Sequence, residues 1–298
     1  MSEAPLVPPV KCQGIKTKLV SDIRALALSR PFSRWVEPFC GSCVVALNIQ
    51  PKRALLCDSN AHIIRLYQDV QAGRMTPGDV RLFLTEEGEA LRQRGEDYYY
   101  DVRQRFNSEP NSLDFLFLNR CCFNGLIRFN RQGQFNTPFG HKPGRFGKAY
   151  VTKIVNQVRR IGELLCSVDW SFQTADFRVT LAAIRPDDFV YCDPPYAGRH
   201  ADYYSQWSQS DEDSLSELLK ALPAQFLLST WHSNRFRTNP AISEVWHDSR
   251  FCLFTREHFY HVGATEDLRN EMLEALITNF AAKASENRSG LSVQTSMF

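Results

Sequence analysis

A short apolar run, Phe189-Val190-Tyr191-Cys192, is followed by Asp193-Pro194-Pro195-Tyr196, and this order of residue types suits a particular chemistry. The run reads as a strand over Asp188 to Cys192. Two prolines cannot continue a ladder, so the strand stops with a carboxylate at its terminus. An amine on a planar ring is a poor nucleophile because its lone pair is delocalised into the ring. The Asp193 carboxylate and the Pro194 carbonyl can both accept hydrogen bonds from such an amine and localise the lone pair. The stiff prolines fix both acceptors, and Tyr196 supplies a ring on which the planar group can stack. Taken alone, the tetrapeptide fits methyl transfer to the amino group of a planar substrate, and equally a turn after an edge strand.

A second set of residues has the spacing of a nucleotide-binding βαβ unit. Trp35 to Phe39 reads as a strand, Cys40 to Cys43 as a tight turn and Val44 to Ile49 as an apolar helical stretch. The backbone of Glu37-Pro38-Phe39-Cys40-Gly41 would then face a nucleotide-like cofactor. Arg53 to Cys57 is a further strand ending in Asp58, roughly twenty residues after the glycine turn, where an acidic residue holds ribose hydroxyls in such folds. A loop or helix cap is the other reading of Asp58. Lys16 can reach a cofactor carboxylate or a phosphate, or stay solvated. Cys40 and Cys43 form a CxxC with no second pair to complete a zinc site, so neither metal nor redox chemistry is expected of them.

The charge distribution adds a partner. Net charge is only +2, yet no acidic residue lies between Asp114 and Glu163. That stretch holds nine cations: Arg120, Arg128, Arg131, Lys142, Arg145, Lys148, Lys153, Arg159 and Arg160. Phe123, Phe129, Phe135, Phe139, Phe146 and Tyr150 are interleaved with them. Cations for phosphates beside flat faces or wedges for bases fit nucleic acid, the alternative being a solvated basic face.

These residues need elements to position them. A chain of 298 residues with 43% hydrophobic and 23% charged residues fits a large globular domain or a core with an insertion. No apolar run approaches the ~20 residues that span a bilayer. Met1 to Val10 has neither a basic start nor an apolar centre, so a cytoplasmic location is expected. Nine scattered cysteines, two of them adjacent, are expected to be mostly reduced and buried. Further strands are predicted at Trp170 to Phe172, Phe226 to Ser229 and Ala275 to Thr278. Between Asn60 and Trp170 the pattern turns helical, with amphipathic stretches at Val80 to Leu91 and Tyr98 to Phe106 and an apolar Phe115 to Leu118. Asn130 to Gly140 reads as a hairpin or extended loop. The expected organisation is a catalytic core over 11–60 and 165–280, an inserted module over 61–164, and a disordered tail over 281–298.

The ordered set Gly14-Ile15-Lys16-Thr17-Lys18-Leu19, Glu37-Pro38-Phe39-Cys40-Gly41, Asp58-Ser59-Asn60, Asn119-Arg120-Cys121-Cys122-Phe123-Asn124-Gly125-Leu126, Gly133 to Gly140 and Asp193-Pro194-Pro195-Tyr196 resembles the Dam-type (D12 class) DNA adenine-N6 methyltransferases. The resemblance spans about residues 11 to 280. It implies an α/β, Rossmann-like core dependent on S-adenosylmethionine, interrupted by a mostly helical target-recognition domain, with no metal. It places Cys12, Lys16, Asp58 and Asp193 at the cofactor, and Asp176 and Phe177 at the cofactor's adenine. It places Phe123, Asn124, Leu126 and Arg128 in the DNA, joined by Pro138, His141 and Lys142 from the following loop, with Arg120 among the cations that meet double-stranded DNA. Leu126 and Arg128 agree with readers of GATC, whereas His141 and Lys142 differ from the family's commoner residues. Cys12 stands where an aromatic is usual, and Ser42 or Cys43 where a second glycine is often found. Two other readings keep part of the evidence: an RNA base methyltransferase, and a DNA-binding protein with an idle methyltransferase core. A nicotinamide-dependent oxidoreductase would rest on the βαβ pattern alone.

Overall fold

A computed structural model describes residues 5–196, 207–234, 237–259, 271–281 and 292–294. In chain order the elements are α1 (Val20–Ala27), β1 (Arg34–Glu37), α2 (Val44–Ile49), β2 (Arg53–Asp58), α3 (Ala61–Gln71), α4 (Pro77–Arg94), α5 (Glu96–Ser108), α6 (Ser112–Cys121), α7 (Lys148–Leu165), β3 (Asp169–Thr174), α8 (Phe177–Ala182), β4 (Asp188–Cys192), α9 (Gln209–Ala221), β5 (Gln225–Asn234), α10 (Pro240–Glu244), β6 (Cys252–Phe259), β7 (Glu271–Thr278) and β8 (Ser292–Gln294). A short 3-10 turn covers Phe123–Gly125.

The chain forms two compact units. The first holds the chain up to Val20 together with Cys40–Ala175; the second holds Ser21–Phe39 and the described residues from Asp176 onward. In the first unit β2 and β3 pair in parallel, in register from Arg53↔Asp169 to Asp58↔Thr174. Everything from α3 to α7 is therefore inserted in one parallel crossover. Ala54 to Cys57 of β2 are all buried, as expected of a strand covered on both faces, while β3 buries only Trp170 and Phe172. Helix α7 lies inside the stretch expected to be helical, but its own span was not picked out because its basic residues mask the pattern. Val151, Ile154, Val155, Val158, Ile161 and Leu165 nonetheless recur at helical spacing and are buried, leaving Lys148, Lys153, Arg159 and Arg160 exposed.

In the second unit the strand order is β1-β4-β5-β7-β6-β8. β4 lies between parallel partners, β1 and β5, and is buried along its whole length. β7 is antiparallel to both β5 and β6. Trp35 of β1 stacks on Phe189 of β4, with ring centroids 5.2 Å apart and planes 4° from parallel, and lies 5.9 Å from Tyr191. This aromatic row fixes the register of the two strands that end at Glu37 and Asp193. Strand β6 and helices α1 and α9 are further elements that the sequence pattern did not announce.

Most of the tail expected to be disordered, 282–291 and 295–298, lies outside the described residues; within it, Ser292–Gln294 pairs with β6. Six cysteines are buried, Cys12 and Cys252 are half-buried, Cys166 is exposed, and all nine are free. Among the described residues no group of side chains could hold a metal ion, and no helix is long and apolar enough to cross a membrane.

Candidate functional site

In the first unit the site is built on the end of β2. The Cys40 amide donates to the Cys57 carbonyl at 2.8 Å, bringing the tight turn onto the strand. Asp58 then caps that turn: Oδ2 accepts from the Gly41 amide and Oδ1 from the Asn60 amide, each at 2.8 Å. Gly41 has φ 46°, and a Cβ placed there would meet no atom within 4 Å, so the backbone borders open space. Cys43 ends the turn in the left-handed conformation and its amide donates to Cys40 O, while Tyr67 donates its hydroxyl to Ser42 O. The expected CxxC is thus a structural turn. Burial raises the Asp58 carboxyl above its usual range, and the two amides oppose that shift. Cys12 lies close enough for the Asp58 carboxylate to add to the burial that pushes its thiol up. The buried Lys16 ammonium donates to the Gly14 carbonyl at 3.1 Å. Cys12, Gly41 and Asp58 are therefore neighbours; the Asp58 spacing pointed to the glycine turn, whereas Cys12 was placed beside them only by the family resemblance.

The same unit assembles the residues expected to read DNA. Helix α6 ends at Cys121, and the Phe123–Gly125 turn follows with Asn124 at φ 53°. The Phe123 amide donates to Pro138 O at 2.9 Å and the Gly140 amide to Cys121 O at 2.9 Å, so the two loops are sewn together by backbone. Gly140 is required here, since a Cβ would stand 2.8 Å from both the Cys121 and the Cys122 carbonyl oxygens. Thr137 donates to Leu126 O, and Arg128 donates Nε to Asn136 Oδ1 at 2.9 Å and Nη2 to Asn136 O at 3.1 Å. Phe129 and Phe135 are buried and bridge the hairpin. At the surface stand Phe123 (46% exposed), Asn124, Pro138, His141 and Lys142, with Leu126 and Arg128 half-buried.

Arg120 is a correction. It was expected among the DNA contacts, but its side chain is buried at 6% exposure. The guanidinium donates to the carbonyls of Pro8 and Pro9, to Gln157 Oε1 at 2.8 Å and to the Tyr150 hydroxyl. A planar fork that spends four of its five donors on internal oxygens, at 6% exposure, is a structural brace and not a phosphate contact. Beside it, Asn119 is fully buried and clips the segment that leads into Cys12. Its Oδ1 accepts from the Lys11 amide at 2.7 Å, and Nδ2 donates to Lys11 O at 2.9 Å and Gly125 O at 3.1 Å. No role for Asn119 was foreseen. The available signal was a polar residue directly after the apolar run Phe115 to Leu118.

In the second unit Asp193 is half-buried at the end of β4, followed by buried Pro194, half-buried Pro195 and buried Tyr196. Burial, followed by the Asp193 and Glu37 carboxylates, raises the Cys192 thiol, which places both acids beside the strand terminus. Glu37 is itself buried and accepts from Trp35 Nε1 at 2.7 Å. Phe39 stacks on Phe177 with centroids 5.3 Å apart, and Trp207 meets Phe39 edge-on. Asp176 is exposed and caps α8 by accepting from the Arg178 amide; Arg178 lays its guanidinium over the Phe177 ring at 4.3 Å and pairs with Asp211 at 2.6 Å. Tyr196 is 7% exposed, lies against Trp231, and donates to Glu274 Oε2 at 3.1 Å. Glu274 was not singled out from the sequence, although a lone acid inside Met272-Leu273-Glu274-Ala275-Leu276-Ile277 is an anomaly in a buried strand.

Comparison with known proteins agrees with this geometry. Residues 13–266 match the D12 class N6 adenine-specific DNA methyltransferases. The chain is 31% identical to the retron Ec67 DNA adenine methylase of Escherichia coli, over 71% of this chain and 71% of that protein. It is 29% identical to the DNA adenine methylase of Haemophilus influenzae over 76% and 79%, respectively. It is 26% identical to the modification methylase StsI of Streptococcus sanguinis, over 92% of this chain but only 43% of that longer protein. A match across most of the chain, with its motifs at the ends of β1, β2 and β4, leaves no room for an oxidoreductase reading: the chain belongs to the D12 class of N6 adenine-specific DNA methyltransferases.

Proposed function

We propose that the chain binds duplex DNA through residues 61–164, rotates a target adenine out of the stack, and methylates its N6 amine at Asp193-Pro194-Pro195-Tyr196 with S-adenosylmethionine as donor. The observation that carries this reading is the Asp193 carboxylate at the carboxyl end of β4, the strand with parallel partners on both sides, where ligands bind in open α/β sheets.

The residues present suit S-adenosylmethionine. Each Asp58 oxygen spends one lone pair on a backbone amide and keeps another for a ribose hydroxyl. The space over Gly41 lets a ligand approach the turn. Cys12 and Lys16 would serve its amino-acid end, with Glu37 and Asp193 taking further polar contacts, and Phe39, Asp176 and Phe177 would hold its adenine. When bound, S-adenosylmethionine supplies an electrophilic methyl group. Asp193 and the Pro194 carbonyl accept the two amine hydrogens of the target base and localise its lone pair for attack. Tyr196 holds the plane of the base, whose extrusion from the duplex costs a few kcal/mol.

In the DNA, Phe123 fills or wedges the disturbed stack while Asn124, Leu126 and Pro138 line the base edges. Arg128 reads a guanine bidentately, which would require it to exchange its Asn136 partners for the base. Leu126 and Arg128 favour GATC, and His141 and Lys142 flank the same loop. The exposed cations Arg131, Lys142, Lys148, Lys153, Arg159 and Arg160 pair with phosphates, as befits an enzyme working on DNA in the cytoplasm.

Asp193→Ala is expected to lower the methylation rate by at least about a hundredfold to a thousandfold, the loss typical of a key acceptor or donor, with duplex affinity retained. Normal turnover in that variant would sink the mechanism. Single-molecule sequencing of plasmid DNA from cells making the wild-type chain checks the rest: N6-methyladenine in GATC is expected, and another context would remove the GATC assignment.

A further inference from the structure

The Tyr196 hydroxyl is anchored to a group outside the catalytic tetrapeptide. It donates to Glu274 Oε2, and Glu274 is 1% exposed on β7. Strand register sets Glu274 opposite Trp231 of β5 on one side and Arg256 of β6 on the other. Arg256 in turn pairs with Asp22 of α1. A carboxylate in the middle of an apolar strand carries a desolvation cost, which the phenol it accepts from helps to offset.

β4 and β7 are separated by β5, so two inter-strand spacings, about 10 Å, lie between the strand that carries Asp193 and the strand that carries Glu274. The tetrapeptide is thus fixed at one end by the β4 backbone and at the other by a side-chain bond two strands away. A phenol oxygen lies on the axis about which the ring turns. Holding it fixes where that axis points, while Trp231 packs the ring and limits rotation about it.

We infer that Glu274 is a positioning residue for adenine methylation: through the Tyr196 hydroxyl it holds the ring, and with it Asp193 and Pro194, in place for the incoming base. This rests on the proposed stacking role of Tyr196. The acceptor oxygen is what matters, since the phenol needs an acceptor and a neutral amide oxygen also provides one.

The test uses single-turnover methylation of duplex DNA, normalised to the fraction of protein that binds the duplex, together with the emission of 2-aminopurine placed at the target adenine. Tyr196→Phe and Glu274→Leu are each expected to slow methylation by about fivefold to tenfold, the effect of one buried hydrogen bond, and the double variant no further than either. Glu274→Gln is expected to keep nearly the wild-type rate. In Tyr196→Phe and Glu274→Leu the extruded 2-aminopurine is expected to emit more strongly, because its stack is loosened; Glu274→Gln leaves the emission as in wild type, and KM for S-adenosylmethionine is unchanged throughout. A role in folding alone would change the DNA-binding fraction and not the emission. Additive losses, a full rate in Tyr196→Phe, or a Glu274→Gln as slow as Glu274→Leu would overturn the inference. If Glu274→Leu does not fold, Tyr196→Phe and Glu274→Gln decide it. A full rate in Tyr196→Ala, or no emission change when wild-type protein binds, would instead remove the stacking role itself.

Discussion

The loops that carry Phe123 to Lys142 and the strand end that carries Asp193 to Tyr196 hold their groups in opposite ways. In the loops the backbone is rigid and the tips are wet: amide-to-carbonyl bonds join Phe123 to Pro138 and Gly140 to Cys121, while Phe123, His141 and Lys142 stand in solvent. At the strand end the backbone leaves its ladder at two prolines, Asp193 is half-buried, and Tyr196 is dry and tied to Glu274. A surface that must accept many duplex sites and release them keeps its charged groups hydrated until phosphates replace the water. A site that must strengthen hydrogen bonds to one amine gains from excluding water. Damage should divide accordingly: buried supports of the loops cost stability, loop tips cost affinity, and strand-end groups cost rate.

The largest expected effect on stability is at the clip between the Cys12 segment and the Phe123–Gly125 turn. Asn119→Ala removes three hydrogen bonds from a fully buried side chain and leaves an amide and two carbonyls without their partner. At about 1–3 kcal/mol for each unsatisfied buried group, relieved where water reaches half-buried Lys11, the loss is expected to be about 2–4 kcal/mol. Urea unfolding measures it. Because one side chain holds both segments, affinity for the duplex and for S-adenosylmethionine should fall together in calorimetry; loss of only one would show that the segments are independent.

A pair of cations sharpens the division further. Arg120→Met strips donors from the Pro8 and Pro9 carbonyls and from Gln157, and is expected to cost about 2–3 kcal/mol while leaving the salt dependence of duplex binding unchanged. Lys142→Ala is expected to alter stability by less than about 0.5 kcal/mol. It should reduce the slope of log K against log salt by about 0.9, one phosphate contact. Fluorescence anisotropy across a salt series reads both. A slope change in Arg120→Met would return that residue to the DNA surface.

These two cations show where sequence reading succeeds and where it stops. The ends of β1, β2 and β4 were legible because short apolar runs closed by Gly, Asp or Pro carry their own punctuation, and Asp58 could be placed near the Gly41 turn from spacing, whereas Cys12 joined them only through the family resemblance. Helix α7 was hidden because a lysine or arginine at one helical position in three or four says nothing about the opposite face until burial is known. Arg120 and Lys142 are the same chemistry in sequence; what separates them is the Pro8-Pro9 segment folding back more than a hundred residues onto α6. Glu274 and Tyr196 are separated by 78 residues, and only strand order brings them together. Local pattern gives the ends of elements, whereas the partners of buried polar groups are long-range facts.

The smallest expected effect lies where the reading hairpin meets α3. The His62 ring stacks on Phe129 of the hairpin, with centroids 5.0 Å apart and planes 6° from parallel, and is flanked by Phe106 and Phe115. Burial, and then the nearby Arg65 guanidinium, lowers its pKa below the ordinary value. The folded protein therefore refuses a proton that the unfolded chain accepts. Its contribution is fully present above about pH 6.5, the ordinary histidine value, and is lost as pH falls through that value toward the folded pKa. His62→Phe keeps a ring against Phe129 and removes the titration. Between about pH 7.5 and about pH 5, wild-type stability in urea should fall more than that of His62→Phe, and the difference between the two isolates this histidine from the other six. Curves that run parallel with pH would mean that the imidazole is protonated as easily inside the aromatic stack as in water, and the stack would then be an open surface feature of the hairpin, not the dry support that distinguishes its base from its tips.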